Sequence, residues 1–436
     1  MKKILSATCA MMLASAGMMA NAQQEQTQLP NFGFEDWEAC EGQADNAGSS
    51  YAMSGSYNVR PGSEPLNWNG SSVNQMGQEK ILVSNIDGAV QLQNLFVGVD
   101  LGWFGKIGST APGYLTLGTP WVYAETNVKN CDGGTFGGVD FKSKPDAIKG
   151  QFKRTDTNDE NSYIIAYLWN GDFSSKIGSV DLKTSEDKYN VDRAILGKVT
   201  PNEGSNGQLV ASCEQTFKST NDSWQEIEVP LTYVEGAGDP TMMNVIISAG
   251  DYWTRGNLKE NTTLLVDDVD FVYYSTLNSL TAGEENVDLT VATFNDEGVA
   301  TLTMNSNTFP TAESVSYTAK SQFATVDVEV LKGQDLVKVT VRNQGGKDVD
   351  GLTQHVYNLQ YKAGTSGVES VAGDGVKVYA AAGCVVVEGA EGVAQVYTAD
   401  GKQVAVESVN GKAEIALANG LYIVRVGNKV QKVVVK

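Results

Sequence analysis

The chain has 436 residues, 41% of them hydrophobic, with 32 Lys and Arg against 52 Asp and Glu and a formal net charge of −20. Such an acidic chain repels nucleic acid and sulfated or uronate-rich polymers, leaving neutral sugars, peptides and divalent cations as partners. It holds one histidine, His355, in an alternating stretch; with no other, Ser-His-Asp and Cys-His nucleophile systems and His-rich zinc sites lack their central residue.

The first 22 residues read as an export signal. Lys2 and Lys3 precede an apolar, small-residue stretch from Ile4 to Met19, and Ala20-Asn21-Ala22 gives a small-x-small cleavage pattern. No later stretch approaches the roughly 18 continuous apolar residues of a membrane span. The chain is therefore expected to be exported, to the cell surface or the extracellular space, with the periplasm also open. Four cysteines follow the signal, Cys40, Cys131, Cys213 and Cys384, with no CxxC spacing. The pairing among the first three is left open.

Residues 23–276 carry all seven tryptophans, Trp37, Trp68, Trp103, Trp121, Trp169, Trp224 and Trp253, and 34 acidic against 17 basic residues. Short alternating segments, frequent glycines and turn signals every 8–12 residues predict an all-β domain. Residues 161–169 (Asn-Ser-Tyr-Ile-Ile-Ala-Tyr-Leu-Trp) are apolar on both parities, as a central sandwich strand should be, and put Trp169 in the core. Residues 225–231 alternate, placing Ile227, Val229 and Leu231 inward and Trp224 on the polar parity unless one bulge turns it in. Residues 264–274 form another strand, on which Asp267 shares parity with Leu265, Val269, Phe271 and Tyr273 and is expected to point inward.

After Tyr274 tryptophan vanishes and Thr/Val-rich strands follow, at 298–304, 325–330 and 336–341, so that residues 277–363 suit an immunoglobulin-like sandwich acting as a spacer. A linker at 363–367 leads into residues 364–436, a small β-sandwich. All three domains are expected to be β.

Two stretches resemble known families. Val396-Tyr-Thr-Ala-Asp-Gly-Lys-Gln-Val404 followed by Asn419-Gly-Leu-Tyr-Ile-Val-Arg-Val and a terminal Lys-Val-Val-Val-Lys436 is similar to the C-terminal sorting domain of the Bacteroidetes type IX secretion pathway. That resemblance implies the outer-membrane secretion machinery as a partner; a plain structural module is the alternative. At the front, Asn31-Phe-Gly-Phe-Glu-Asp-Trp37, Pro65-Leu-Asn-Trp-Asn69, Phe141 to Phe152 and Leu265-Val-Asp-Asp-Val-Asp270 follow the order of the Bacteroidetes "putative carbohydrate metabolism domain". More distantly they resemble jelly-roll carbohydrate-binding modules. This implies an N-terminal jelly roll with a role toward carbohydrate. The jelly-roll resemblance also implies a structural calcium ion held between Glu35 and Asp267, with Asp268 adjacent. Asp267 capping backbone amides is the alternative.

Sugar rings stack on aromatic faces while their hydroxyls need polar partners. On that chemistry Trp68, Trp121, Tyr123 and Trp253 are the candidate carbohydrate-binding residues, each flanked by Asn, Asp, Glu or Gly, although four or five of the seven tryptophans are expected in the core. A glycoside hydrolase would need only a carboxylate pair. Glu125, Asp140, Asp172 and Asp251 lie beside aromatics, but nothing in the sequence brings two together, so no catalytic residue is assigned. The sequence thus points to a non-catalytic glycan-binding protein of a Bacteroidetes bacterium, with a glycoside hydrolase and a structural surface protein or adhesin as alternatives.

Overall fold

The computed structural model describes residues 26–40, 45–49, 60–75, 78–124, 132–154, 158–173, 191–200, 205–254, 258–306, 308–361, 376–427 and 429–436. The export signal, the 363–367 linker, Glu125 and Cys131 lie outside the described residues, as does the side chain of Tyr123. The fold is β almost throughout.

The front is a two-sheet antiparallel sandwich. One sheet runs in the order Thr232–Tyr233, Gln208–Phe217, Ser162–Asn170, Met242–Ser248, Tyr114–Thr116, Asn69–Gly70. The facing sheet runs Gln225–Pro230, Ala147–Lys153, Thr263–Val272, Ala89–Gln93, Val83–Ile86. Alternation decides what lies between them: Ile164, Ala166 and Leu168 from one central strand meet Val266, Val269 and Phe271 from the other. As read from the sequence, Val229 and Leu231 are buried in this core and Ile227 packs against it.

The other parity of Ser162–Asn170 is also buried. Ile165, Tyr167 and Trp169 form a second apolar layer with Tyr114, Ile246 and Tyr252 on the outer face of the first sheet. A five-residue helix, Val191–Ile195, contributes Ile195 to that layer. The strand Thr119–Ala124, paired with Asp132–Phe136 and Asp45–Ser49, brings in Trp121 beside it. Burial on both faces is why this strand reads as a continuous apolar run.

The strand Thr263–Val272 does not keep the phase expected of it. Its register against Ala147–Lys153 shifts between Lys149 and Gln151, opposite Asp267–Asp270, and Asp268 takes a left-handed conformation with φ 49°. This bulge inserts one residue, so Leu264 and Val266 share the core face with Val269 and Phe271. Asp267 therefore lies on the outer face with Leu265, half-buried, and does not point into the sandwich.

The strands between residues 277 and 360 form two sheets, Glu285–Asn286, Leu277–Ala282, Val315–Ala319 and Val299–Thr303, Gln354–Gln360, Leu336–Arg342, Thr325–Leu331. The front sandwich and most of these strands belong to one compact unit, up to Leu302 with Pro310–Val330 and Val337–Leu359. Within it, the amide of Tyr273 donates to Lys347 O at 3.0 Å and Asn343 Nδ2 donates to Tyr273 O at 3.0 Å. A Cβ on Gly346 would sit 2.1 Å from the Tyr273 ring, so only glycine lets the loop lie on it.

The second unit comprises Thr303–Phe309, Leu331–Leu336 and Gln360–Lys436. Its tail is a five-stranded antiparallel sheet in which Cys384–Thr398 pairs with Lys377–Ala381, Gln403–Ala416 and Gly420–Val426, and Lys429–Val435 closes on Gly420–Val426. Val387, Val396, Val424 and Val433 are among the side chains that fill its core.

Candidate functional site

Two of the four candidate aromatic residues are core residues. Trp68 is 1% exposed. Its amide closes a turn onto Pro65 O at 2.9 Å, Asn67 takes φ 67°, and the indole is thrown inward, edge-on to Phe34 at 5.6 Å. Its Nε1 donates to Pro30 O at 2.8 Å, which satisfies the one polar group the ring carries. Trp121 is 2% exposed beneath the Arg193 guanidinium, 5.4 Å from the ring. Neither ring offers a face to a ligand, contrary to expectation. For Tyr123 the structure gives the backbone only, paired with Asp132.

Trp253 fares differently. It is half-buried, edge-on to Tyr252 at 4.8 Å, with Nε1 donating to Glu214 Oε1 at 3.1 Å. Lys198 Nζ lies 2.9 Å from Glu214 Oε2 and 4.9 Å from the Trp253 ring centroid. The backbone amides of Trp253 and Thr254 both donate to Asp251 Oδ1, at 2.9 and 3.0 Å, fixing the loop. Tyr163 stands beside them, hydrogen-bonded to Asp251. Burial, and then the charges of Asp251 and Glu214, push its hydroxyl up to about 12. The fold thus gathers Trp253, Tyr163, Asp251, Glu214 and Lys198 into one aromatic, carboxylate-rich patch.

Of the acids the sequence singled out that are among the described residues, Asp251 alone belongs to this patch. Asp140 and Asp172 are exposed on other segments.

Among the described residues, the most exposed aromatic pair lies elsewhere in sequence. Strands Leu95–Asp100 and Lys106–Ala111 form a hairpin tipped by a single turn, Gly102–Phe104, on which Trp103 is 97% and Phe104 85% exposed. The tip is held by Gly102 N donating to Asp100 Oδ1 at 2.8 Å and Leu101 N donating to Gly105 O at 2.8 Å. Gly102 and Gly105 take φ 60° and 89°, which a side chain would strain. Sequence reasoning passed over Trp103. The available signal was Leu-Gly-Trp-Phe-Gly, an aromatic pair bracketed by glycines between two alternating runs.

One buried carboxylate ties both features together. Glu160 accepts from Thr262 Oγ1 at 2.6 Å, Asn94 Nδ2 at 3.1 Å and Lys259 N at 3.2 Å on one oxygen, and from Asp251 N at 3.3 Å on the other. Burial raises its pKa, against the hydrogen bonds of Thr262 and of the Lys259 and Asp251 amides and the charge of Arg154. Asp251 positions Trp253. Asn94, at the foot of the hairpin, also exchanges backbone hydrogen bonds with the 261–262 segment, and Lys106 on the hairpin lies 3.6 Å from Glu260. A Cβ on Gly250 would fall 2.3 Å from Asn94 Nδ2 and 2.4 Å from Glu160 Oε1, so the network closes only around a glycine.

The residues expected to hold calcium lie at the bulge. Asp267 has its pKa raised by burial first and then by the charges of Asp268 and Glu35, which face it. They are looser than a finished site. Among the described residues only Asp348, Asp350 and His355 bring three potential ligand atoms within 4.8 Å of one another. Cys40, Cys213 and Cys384 are free thiols, and burial pushes those of Cys40 and Cys213 up to about 12, which keeps them unreactive.

No family model matches the chain, and no curated protein matches it. Among solved structures, a "putative glycoside hydrolase" from Bacteroides thetaiotaomicron is similar over 43% of this chain at 17% identity and a TM-score of 0.27. The chain spans 54% of that protein's length. The adhesin domain of Lys-gingipain aligns with 48% of this chain and 91% of its own at 14% identity and a TM-score of 0.20. A family 30 carbohydrate-binding module of a Clostridium thermocellum cellulase aligns with 47% of this chain and 90% of its own at 12% identity and a TM-score of 0.20. At these scores the likenesses carry no argument about this chain. Among the described residues no helix is long and apolar enough to cross a membrane.

Proposed function

We propose that the front sandwich binds neutral poly- or oligosaccharide without catalysis, using the end of the molecule organised around Glu160. The observation that carries this is Trp103, 97% exposed beside Phe104, on a hairpin anchored to the same polar network that holds Trp253. A ring offered to water on a fixed hairpin is what stacking on a sugar face requires, and the Trp253 patch adds carboxylates for hydroxyls. An exposed platform is not what a purely structural surface protein needs.

Glycoside hydrolysis is the second reading, favoured by one arrangement: Asp251, hydrogen-bonded to Tyr163, and Glu214, hydrogen-bonded to Trp253, stand on the same patch. In keeping with the sequence, the chain would be exported and surface-held, with the middle strands as a spacer and the tail as a sorting module. A calcium ion at Glu35 and Asp267 would be structural.

Retardation of the full chain in gels containing neutral polysaccharides tests the proposal. Retention on at least one glycan without release of reducing sugar supports binding. Sugar release with no retention transfers the function to the carboxylates around Tyr163.

A further inference from the structure

The chain's one histidine occupies a setting that stacking on sugars does not use. His355, on strand Gln354–Gln360, is 0% exposed, with its ring edge-on to Phe294 at 4.3 Å. The Ser275 hydroxyl donates to Asp348 Oδ2 at 2.7 Å and lies 2.9 Å from His355 Nδ1. A hydroxyl has a single proton, so once Asp348 accepts it, Nδ1 must be the donor toward Ser275. Asp348 Oδ2, 3.1 Å from Nδ1, favours the same tautomer. Serine and carboxylate meet the same ring nitrogen, which rules out a nucleophile relay, where they would lie on opposite nitrogens.

With the proton on Nδ1 of a neutral ring, Nε2 presents a lone pair. That atom is buried and has no hydrogen-bond partner. It faces Asp350 Oδ2 at 3.7 Å, acceptor toward acceptor. We propose that Asp350 and His355 Nε2 are the protein ligands of a zinc-class divalent metal site, with Asp348 holding the imidazole through Nδ1.

The geometry suits this ion. Bonds of about 2.0–2.1 Å at a tetrahedral centre set neighbouring ligand atoms about 3.3–3.4 Å apart, a few tenths of an ångström inside the observed separation. The Asp350 side chain is 62% exposed, free to close that gap and leaving the remaining positions to water. The loop is already shaped: Asp348 Oδ1 accepts from the amides of Asp350 and Leu352, both at 2.9 Å. A carboxylate behind a metal-bound imidazole is the usual means of fixing its tautomer. Imidazole selects zinc and its neighbours over calcium, which takes six to eight oxygens. Because the adjoining residues Asn343, Gly346 and Lys347 grip Tyr273 at the end of the front sandwich, the ion would also stiffen that junction.

Zinc titration of the full chain by calorimetry, with thermal melts, tests the site. Zinc is expected to raise the melting temperature of the wild type and to move the ¹⁵N resonance of Nε2, which is unambiguous with one histidine. Asp350→Asn, at an exposed side chain, should keep the metal-free melting temperature and lose zinc affinity by at least about 10-fold, the least that an outer-shell change costs. Asp348→Asn should weaken binding without abolishing it. An unmoved Nε2 resonance, undiminished affinity in Asp350→Asn, or a rise given by calcium and not by zinc would each overturn the assignment.

Discussion

Trp103→Ala and Trp68→Ala separate recognition from stability. Trp103 buries almost nothing, so its removal should change folding stability by no more than about 0.5 kcal/mol, as for other surface substitutions. Against a ligand, one indole face covers about 100 Å², which at about 25 cal/mol per Å² is about 2.5 kcal/mol, or about 70-fold in Kd. Trp68 is the reverse. At 1% exposure, with its N–H bonded to Pro30 O, truncation should cost about 3–5 kcal/mol of stability. The assays are urea unfolding monitored by fluorescence and affinity electrophoresis on whichever glycan retains the wild type. Undiminished retention of Trp103→Ala would refute the platform, and a Trp68→Ala variant as stable as the wild type would refute the assignment of that ring to the core.

Other expectations follow from individual contacts. Burial pushes Asp192 up to about 6 from an ordinary 3.8, against the attraction of Arg193. The native chain therefore binds more protons than the unfolded chain between those values, and this group's share of stability falls as pH rises through that window, by about 3 kcal/mol in all. Asp192→Asn should flatten that slope; a difference between wild type and variant that stays constant from pH 4 to 7 would count against it. Gly250→Ala should cost about 1–3 kcal/mol through the overlap with Asn94 and Glu160 and should weaken glycan retention as well, both read in the assays above. Adding a chelator should lower the melting temperature if calcium bridges Glu35 and Asp267, and Asp267→Asn should abolish the part of that loss which added calcium restores. An unchanged midpoint on chelation removes the calcium proposal.

The parts of the fold legible in the sequence are those where side-chain period alone decides. Residues 161–169 read as a strand buried on both faces because each parity meets its own apolar layer, one between the sheets and one under the helix Val191–Ile195. Residues 225–231 read correctly for the same reason, and Trp224, on the polar parity, is 43% exposed. Period fails where the backbone inserts a residue: the bulge at Asp267–Asp268 inverts the phase, so the inward carboxylate became an outward one. Flanking polarity misleads in its turn at Trp68 and Trp121, whose polar neighbours suggested sugar binding but whose rings are buried. Asn67 is polar because it occupies a left-handed turn position, not because it meets a ligand. The Glu160 network was illegible, since its members come from four separate stretches of chain.

An exposed tryptophan binds well only if its position is fixed before the ligand arrives, because ordering a loose hairpin would consume the stacking energy. The hairpin carries its own means of doing this. Gly98 and Gly108 lie directly across from each other on its two strands, with φ 152° and 156°. A Cβ on either would come within 2.2 Å of a backbone oxygen on the opposite strand. The strands therefore approach more closely here than side chains allow, while Lys106 lies over the Phe96 ring at 4.8 Å and reaches Glu260 at 3.6 Å to tie one side down. Paired glycines in mid-strand weaken a sheet by entropy and by lost packing. Their presence beneath a tip that buries nothing makes sense if the position of the tip matters more than the stability of the strands. Of the seven tryptophans, the one contributing least to the core thus stands at the tip of a hairpin whose strands close on a pair of glycines.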